Sequence, residues 1–261
     1  MTELQRLLSG ADALASRAAA LLVAMQRQDI GVTRKEHRDV VTAADLASEK
    51  LVIEGLRRLT PGAAILSEEA GASGSGAGAR WIVDPLDGTV NYAAGLPWFS
   101  VTLAFQEGGR TRLGITRAPA APIVAHYLEE GVAAIDGRSA AVSGTARLAD
   151  AVVSVVLTSH FSAEEVGRTS DVIRCLGDRT RGVRIIVSGA LEMSLVAAGR
   201  LDAFVSLKAD IVSHAAAMPL VRAAGGRVTT LSGADSADES WDKIASNGAT
   251  HAELLEALAG V

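Results

Sequence analysis

Two carboxylates, Asp84 and Asp87, stand three positions apart in the run Trp81-Ile82-Val83-Asp84-Pro85-Leu86-Asp87-Gly88-Thr89-Val90-Asn91. The apolar residues 81–83 read as a strand arriving at a turn, and Pro85 fixes one backbone angle between the acids. Gly88 and Thr89 follow, where the backbone must turn tightly and expose its N–H groups. Carboxylates attract cations, whereas free N–H groups attract anions. A phosphate held over metal ions satisfies both.

Other acids lie upstream. Thr42 and Asp45 fit an N-cap residue and its N3 partner, opening a helix that carries Ala47, Leu51, Val52, Gly55, Leu56 and Leu59 and stops at Pro61. Asp45 therefore has two readings: a structural cap, or a carboxylate at a helix start aimed at the same site. Residues 63–67 read as a buried strand ending in Glu68 and Glu69, a pair that is either solvated or ligating. Residues 70–79 form a Gly/Ser/Ala tract, expected to be a mobile loop that brings Glu68 to the Asp84 turn. Residues 31–39 carry Arg34, Lys35, His37 and Arg38. They read as a solvated connection, although a basic group there can also approach a phosphate.

The remaining elements must position these groups. Leu4, Leu7, Leu8, Ala11, Leu14, Ala15, Ala18, Leu21, Leu22 and Met25 recur at helical spacing, which predicts one long amphipathic helix. Residues 99–106 and 111–117 alternate around Gly108-Gly109 as a hairpin, and 123–128 and 132–135 extend an antiparallel sheet. Residues 151–157 begin a second set of elements. A capping box at Ser162 and Glu165 opens a helix there, and residues 183–187 form a strand. Ser188-Gly189 then turns into a helix that Gly199 and Arg200 close, followed by a strand at 203–207. Ser213 is read as the start of a helix ending at Gly225-Gly226. Strands at 227–231 and 243–246 and a helix at 251–258 complete the chain. The pattern changes near Ala149, dividing it into an N-terminal α+β part, 1–149, and a C-terminal α/β part, 150–261.

The chain has 261 residues, 49% hydrophobic but only 3% aromatic, so its core must be built from Ala, Val, Leu and Ile. A net charge of −5 without a basic block argues against nucleic acid as a partner. The single cysteine, Cys175, forbids an internal disulfide and reads as filler in a helical segment. The start of the chain lacks the pattern of a signal peptide, and apolar stretches such as 18–25 are too short to span a bilayer. A soluble, cytoplasmic protein without membrane partners is expected.

Four blocks, taken in order, resemble the inositol monophosphatase family of magnesium-dependent, lithium-sensitive phosphatases. They are Asp39-x-Val41-Thr42-x-x-Asp45 with Glu49; Ile65-Leu66-Ser67-Glu68-Glu69; the Asp84–Asn91 string; and Gly199-Arg200-Leu201-Asp202 with Ala224-Gly225-Gly226 and Ala245-Ser246-Asn247. The resemblance covers nearly the whole chain. It implies a layered α/β/α/β/α sandwich of the inositol monophosphatase and fructose bisphosphatase type, assembled as a homodimer. It implies two or three Mg²⁺ ions held by Glu68, Asp84, Asp87 and the Leu86 carbonyl, with no ligand role for Glu69. Asp45 and Thr89 become the pair that orients the attacking water, and Gly88 and Thr89 grip the phosphate. Such chemistry needs neutralised charge and an in-line nucleophile, but no covalent phospho-enzyme.

Two departures stand out. The family's third aspartate falls on Ser213, followed by His214-Ala215-Ala216-Ala217. Locally Ser213 reads as a helix N-cap; it can also hold a metal through water, or Asp210 can reach in from one turn earlier. His214 suits magnesium poorly. One lost anionic ligand should weaken the second ion and raise the Mg²⁺ requirement. The family's inositol-binding glutamate falls on Ser206, so inositol phosphate is not assured. Lys208 nearby is read as a surface lysine or as a contact for a second anionic group. The expected activity is hydrolysis of a small cyclitol, sugar or polyol phosphate. A nucleotide 3′-phosphatase, a sugar bisphosphatase and a non-catalytic phosphate-binding relative are the alternatives.

Overall fold

The computed structural model describes residues 1–27, 33–34, 40–74, 78–208, 210–237 and 240–261. The basic connection with Lys35, His37 and Arg38, and Asp39 of the first motif, lie outside them. Thr2 caps α1 (Glu3–Gln26) in a capping box with Gln5. A two-residue ladder joins β1 (Thr33–Arg34) to β2 (Val40–Val41), and α2 (Ala43–Leu59) follows. Then come β3 (Ala64–Ser67), β4 (Gly71–Ser73), β5 (Ala79–Asp87), α3 (Thr89–Ala93), β6 (Ser100–Glu107), β7 (Arg110–Ala118), β8 (Ile123–Leu128), β9 (Val132–Ile135) and β10 (Arg138–Ser139). These strands form one sheet in the order β10-β9-β8-β7-β6-β5-β3-β4. Part of the expected mobile loop is thus a strand: β4 pairs antiparallel with β3, with Ser67 opposite Gly71. Residues 75–77 of that tract lie outside the described residues.

The second half comprises β11 (Val152–Val155), α4 (Ala163–Gly177), β12 (Gly182–Arg184), α5 (Gly189–Ala197), β13 (Ala203–Ser206), α6 (Ile211–His214), α7 (Ala217–Ala223), β14 (Arg227–Thr229), β15 (Lys243–Ser246) and α8 (His251–Leu258). Its strands order as β12-β11-β13-β15-β14, with β11 parallel to both neighbours and β15 antiparallel to both of its own. The helix expected from Ser213 is two helices, and it starts earlier. Asp210, not Ser213, is the N-cap, accepting the Val212 N–H at 3.0 Å. The chain turns at Ala215 and Ala216 before α7 begins. The strand expected over 183–187 ends at Arg184.

Helices and sheets alternate in five layers. Helices α1 and α2 cover the outer face of the first sheet, α5, α6 and α7 lie between the sheets, and α4 and α8 cover the second sheet. By length and composition α1 can cross a bilayer, contrary to the sequence expectation. Here its Leu7, Ala11, Leu14, Ala18 and Leu22 stripe is buried in the core it shares with β6 and β7. Asp12 ties the same helix to the sheet. Its carboxylate accepts from Arg117 Nε at 2.9 Å and Nη2 at 2.8 Å, and lies 2.8 Å from His126 Nε2. Burial works to raise its pKa, but the bonds from His126 and Arg117 outweigh burial and hold it well below the carboxylate range.

The inner helices approach the first sheet very closely at Gly114 of β7. A Cβ there would stand 2.4 Å from the Ala216 carbonyl oxygen, so only glycine fits. This contact sets the α6–α7 turn, and Ser213 with it, against the sheet that carries the acids.

Candidate active site

The acids Asp84 and Asp87 occupy the end of β5, where the strand stops pairing regularly. Asp84 faces Thr102 and Asp87 faces Ser100, so one extra residue is inserted in β5 between them. Pro85 lies in that insertion and has no N–H for the ladder, which makes a bulge the natural local structure. The Leu86 N–H bonds back to Asp84 Oδ1 at 3.1 Å, closing a turn around the proline. Ser48 of α2 donates to the Pro85 carbonyl at 2.8 Å and fixes the turn from the outer layer. Gly88 then adopts the left-handed conformation at φ 91°, and α3 begins at Thr89. The sequence reading of a strand entering a tight turn is what the structure shows.

Burial makes these acids costly, and among the described residues none is given a positively charged partner. Asp84 is 2% exposed and Asp87 is 6% exposed. Burial, with the charges of Glu68 and Asp87 beside it, pushes Asp84 well above the carboxylate range. Burial also raises Asp87, opposed by donors from the other half of the chain. Ser188 Oγ donates to Asp87 Oδ2 at 2.6 Å, Ser100 Oγ at 3.1 Å and the Ala190 N–H at 3.1 Å, while the Gly189 N–H reaches Oδ1 at 3.2 Å. Asp87 thus sits on the amino end of α5, where unpaired N–H groups favour an anion.

Asp45 is the cap partner, and its second oxygen reaches the turn that carries the other acids. Thr42 and Asp45 form the capping box of α2, with the Thr42 N–H at 2.8 Å and its hydroxyl at 2.5 Å from Asp45 Oδ2. The other oxygen, Oδ1, accepts from Thr89 Oγ1 at 2.9 Å. Thr89 Oγ1 also lies 3.0 Å from the Leu86 carbonyl, so a single hydroxyl proton has two acceptors. Asp45 is 1% exposed, and burial raises its pKa against the bonds from Thr42 and Thr89.

Glu68 follows β3, whose neighbour is β5, and the Glu68 N–H donates to the Val83 carbonyl at 3.2 Å. Glu49 of α2 braces the Glu68–Glu69 turn from both sides: Ser67 Oγ donates to its Oε1 at 2.5 Å and the Ala70 N–H at 2.9 Å. Helix α2 therefore holds three parts of the site through Asp45, Ser48 and Glu49.

A cavity of about 600 Å³ opens over these groups, lined by Glu68, Asp84, Leu86, Asp87, Gly88 and Thr89. Ser206, Lys208, Asp210, Ser213 and His214 line it from the second half. Ser213 Oγ donates to Asp84 Oδ2 at 2.8 Å, so the residue expected as a helix cap instead faces the acids. Asp210 has the capping role, although Asp84 still feels its charge. The buried His214 leaves Nδ1 unpartnered, and burial, with Lys243 nearby, pushes its pKa down to about 3, so it is neutral. Ser206 is buried and donates to the Lys208 carbonyl at 2.8 Å. Lys208 is partly exposed and pairs with Glu165 at 3.2 Å.

Glu192 escaped the sequence reading. The helix α5 is apolar on every side, so an acid within it has to be buried, and that was the available signal. Glu192 receives the Ser154 hydroxyl and accepts the Ser188 N–H at 3.0 Å, bracing the residue that clamps Asp87. Burial pushes its pKa up to about 7. A carboxyl raised above its unfolded value binds its proton more tightly in the folded state. Its share of stability is thus fully present below the unfolded pKa and is lost as pH rises through about 7. Metal-free protein should lose on the order of 3 kcal/mol from this residue between pH 4.5 and 8. Urea unfolding across that range should show a flatter slope in Glu192→Gln. An unchanged slope would contradict the assignment.

Among the described residues, no three His, Cys, Asp or Glu side chains are close enough together to hold one ion as they stand. The cavity donors are nonetheless hard oxygens, and the buried like charges of Asp84 and Asp87 call for a cation. That chemistry suits a small divalent ion bound by carboxylates, after those now accepting from serines turn toward it.

Residues 3–261 match the inositol monophosphatase family. The chain is 35% identical over 239 residues, 91% of its length and 90% of the relative's, to a fructose-1,6-bisphosphatase/inositol-1-monophosphatase of Thermotoga maritima. It is 32% identical to an inositol-1-monophosphatase of Mesorhizobium japonicum, covering 88% of this chain and 87% of that one. Among solved structures, the extragenic suppressor protein SuhB of Bartonella henselae superposes with a TM-score of 0.90 at 30% identity, over 95% and 97% of the two chains. The fold and site thus define a phosphatase of the layered α/β type. The chain belongs to the inositol monophosphatase family.

Proposed function

We propose that this chain is a metal-dependent phosphomonoesterase acting on a small cyclitol, sugar or polyol phosphate by direct attack of water. The observation that carries this reading is Thr89 Oγ1, placed between Asp45 Oδ1 and the Leu86 carbonyl at the mouth of the acid-lined bulge. Glu68, Asp84, Asp87 and the Leu86 carbonyl would hold Mg²⁺, which supplies neutralisation of the phosphate charge and activation of water. Thr89 donates its single proton to Asp45, leaving an oxygen lone pair to accept a hydrogen bond from the attacking water; as water's proton passes to Thr89 Oγ1, the threonine proton passes to Asp45 Oδ1. Asp45, buried and fixed by Thr42, keeps that hydroxyl oriented. The N–H groups of Gly88 and Thr89 at the start of α3 face the phosphate oxygens. Phosphate release that requires Mg²⁺ and stops on chelation is the expected result. Release that continues at full rate in excess chelator would defeat the reading.

The family's third carboxylate is replaced by a hydroxyl that donates to Asp84. One anionic donor fewer lowers affinity for the second ion. Ser213→Asp should lower the half-saturating Mg²⁺ concentration about ten-fold. It should also lower the melting temperature of metal-free protein, because it adds charge beside Asp84, and Mg²⁺ should restore it. A wild-type titration showing tight binding of two ions by calorimetry would remove the premise.

A further inference from the structure

Among the described residues, two that are not glycine hold a positive φ, Asp136 at 52° and Val187 at 61°. Aspartate tolerates the left-handed region, and Asp136 accepts the Val124 N–H there at 2.9 Å. A β-branched residue has no such help, because its side chain crowds the following carbonyl. Val187 lines the cavity and stands directly before Ser188, Gly189 and Ala190, the donors to Asp87. Strain of this kind persists only where the surroundings over-determine it.

Those surroundings come from both halves of the chain. Asn91 of α3 directs its side-chain amide at two successive carbonyls, Ile186 at 2.7 Å and Val187 at 3.2 Å, and at Trp98 at 2.9 Å. Glu192 holds the far side of the turn. It accepts the Ser188 N–H at 3.0 Å, while the Ser154 hydroxyl of β11 fixes the carboxyl. The peptide groups before and after Val187 are therefore both held, and its φ is not free to relax. His214 closes against the helix start, since a Cβ on Gly189 would lie 2.5 Å from its Nε2. The result is visible at Ser188. It opens α5, but its hydroxyl makes no cap bond and turns to Asp87 instead, at 2.6 Å.

We propose that Asn91 is a positioning residue, which holds Val187 in left-handed backbone and so keeps the amino end of α5 clamped on Asp87. That Asp87 faces a cation belongs to the phosphomonoesterase reading, and on that reading this role rests. Released from Asn91, Val187 would rotate toward negative φ. The chain after it would then carry the Ser188 hydroxyl and two N–H groups off the carboxylate. Asp87 would lose its orientation while keeping both of its oxygens. In Val187→Gly the need for the hold disappears, because glycine adopts the same φ without strain.

The test is a double-mutant cycle between Asn91→Ala and Val187→Gly. In metal-free protein, hydrogen exchange at the Gly189 and Ala190 amides should quicken about ten-fold in Asn91→Ala, beyond any change in α1. With Val187→Gly added, the increase should shrink to about two-fold. Mg²⁺ titrated alone by calorimetry should show a Kd raised about ten-fold by Asn91→Ala, and about two-fold by the same change in the Val187→Gly background. Val187→Gly by itself should raise the melting temperature of metal-free protein by about 2 °C, as the strain is relieved. That measurement stands even where Asn91→Ala fails to fold alone. A lower melting temperature in Val187→Gly, exchange at the two amides unmoved by Asn91→Ala, or equal effects of Asn91→Ala in both backgrounds would overturn the inference. Phosphate release at full rate in excess chelator would instead remove Asp87 as a ligand, and this role with it, while leaving the amide exchange results as they are.

Discussion

Asp84→Asn should abolish phosphate release while making the metal-free protein more stable. The two effects share one cause. Asp84 is buried among like charges from Glu68, Asp87 and Asp210, and the Leu86 N–H and the Ser213 hydroxyl donate to it. An amide of the same shape removes the charge and its repulsion, so the melting temperature rises. The same charge is what a cation and a phosphate need, and losing one such electrostatic group costs on the order of 10²–10³-fold in kcat or more. Asp84 is raised when folded, so wild-type stability falls as pH rises above the unfolded carboxylate value, and the variant lacks that part of the slope. Thermal scans without metal and phosphate assays with it measure the two halves separately. A variant that is both less stable and fully active would show that Asp84 is neither strained nor functional.

Gly88→Ala should cost on the order of 3 kcal/mol and reduce activity at least about 100-fold. The residue has φ 91°, which L side chains rarely adopt, and a new Cβ would lie 2.7 Å from the Trp98 carbonyl oxygen and 3.3 Å from that of Val187. Both neighbours are backbone, held further by Asn91, whose amide donates to the Trp98 carbonyl at 2.9 Å and lies 3.2 Å from the Val187 carbonyl. Relief would require α3 to move, taking Thr89 away from Asp45. Gly137→Ala is the control: its φ is 74° but nothing lies near its Cβ, so only the conformational cost, about 1–2 kcal/mol, should appear. Urea unfolding and phosphate release on both variants decide the matter. Equal losses in the two would mean that crowding around Gly88 is unimportant.

How much could be read beforehand depended on how local each signal was. The capping boxes at Thr42–Asp45 and Ser162–Glu165 were legible because both partners lie within one helical turn. The Asp84–Thr89 turn was legible because proline, glycine and paired acids restrict the backbone together. Ser213 was not, since it and Asp210 are both good capping residues three positions apart. The choice is decided by Asp84, 129 residues away, which draws the serine hydroxyl out of the helix start. The strand β4 was hidden because glycine, alanine and serine carry no strand pattern; its pairing comes from the edge that β3 offers. Glu192 carried one signal, its place in a helix apolar on every side, but its partners Ser154 and Ser188 come together only once α5 lies between the two sheets.

The clamp on Asp87 has a consequence for how this molecule fails. The acid belongs to the first sheet, while three of its four donors, Ser188, Gly189 and Ala190, belong to the amino end of the helix between the two sheets. The two layers therefore cannot separate, even slightly, without releasing that carboxylate from its donors. On the proposed function, catalysis and cohesion between the layers share the same bonds. Loss of turnover under heat or urea is then an early gauge of layer separation, registered while every helix and strand is still in place.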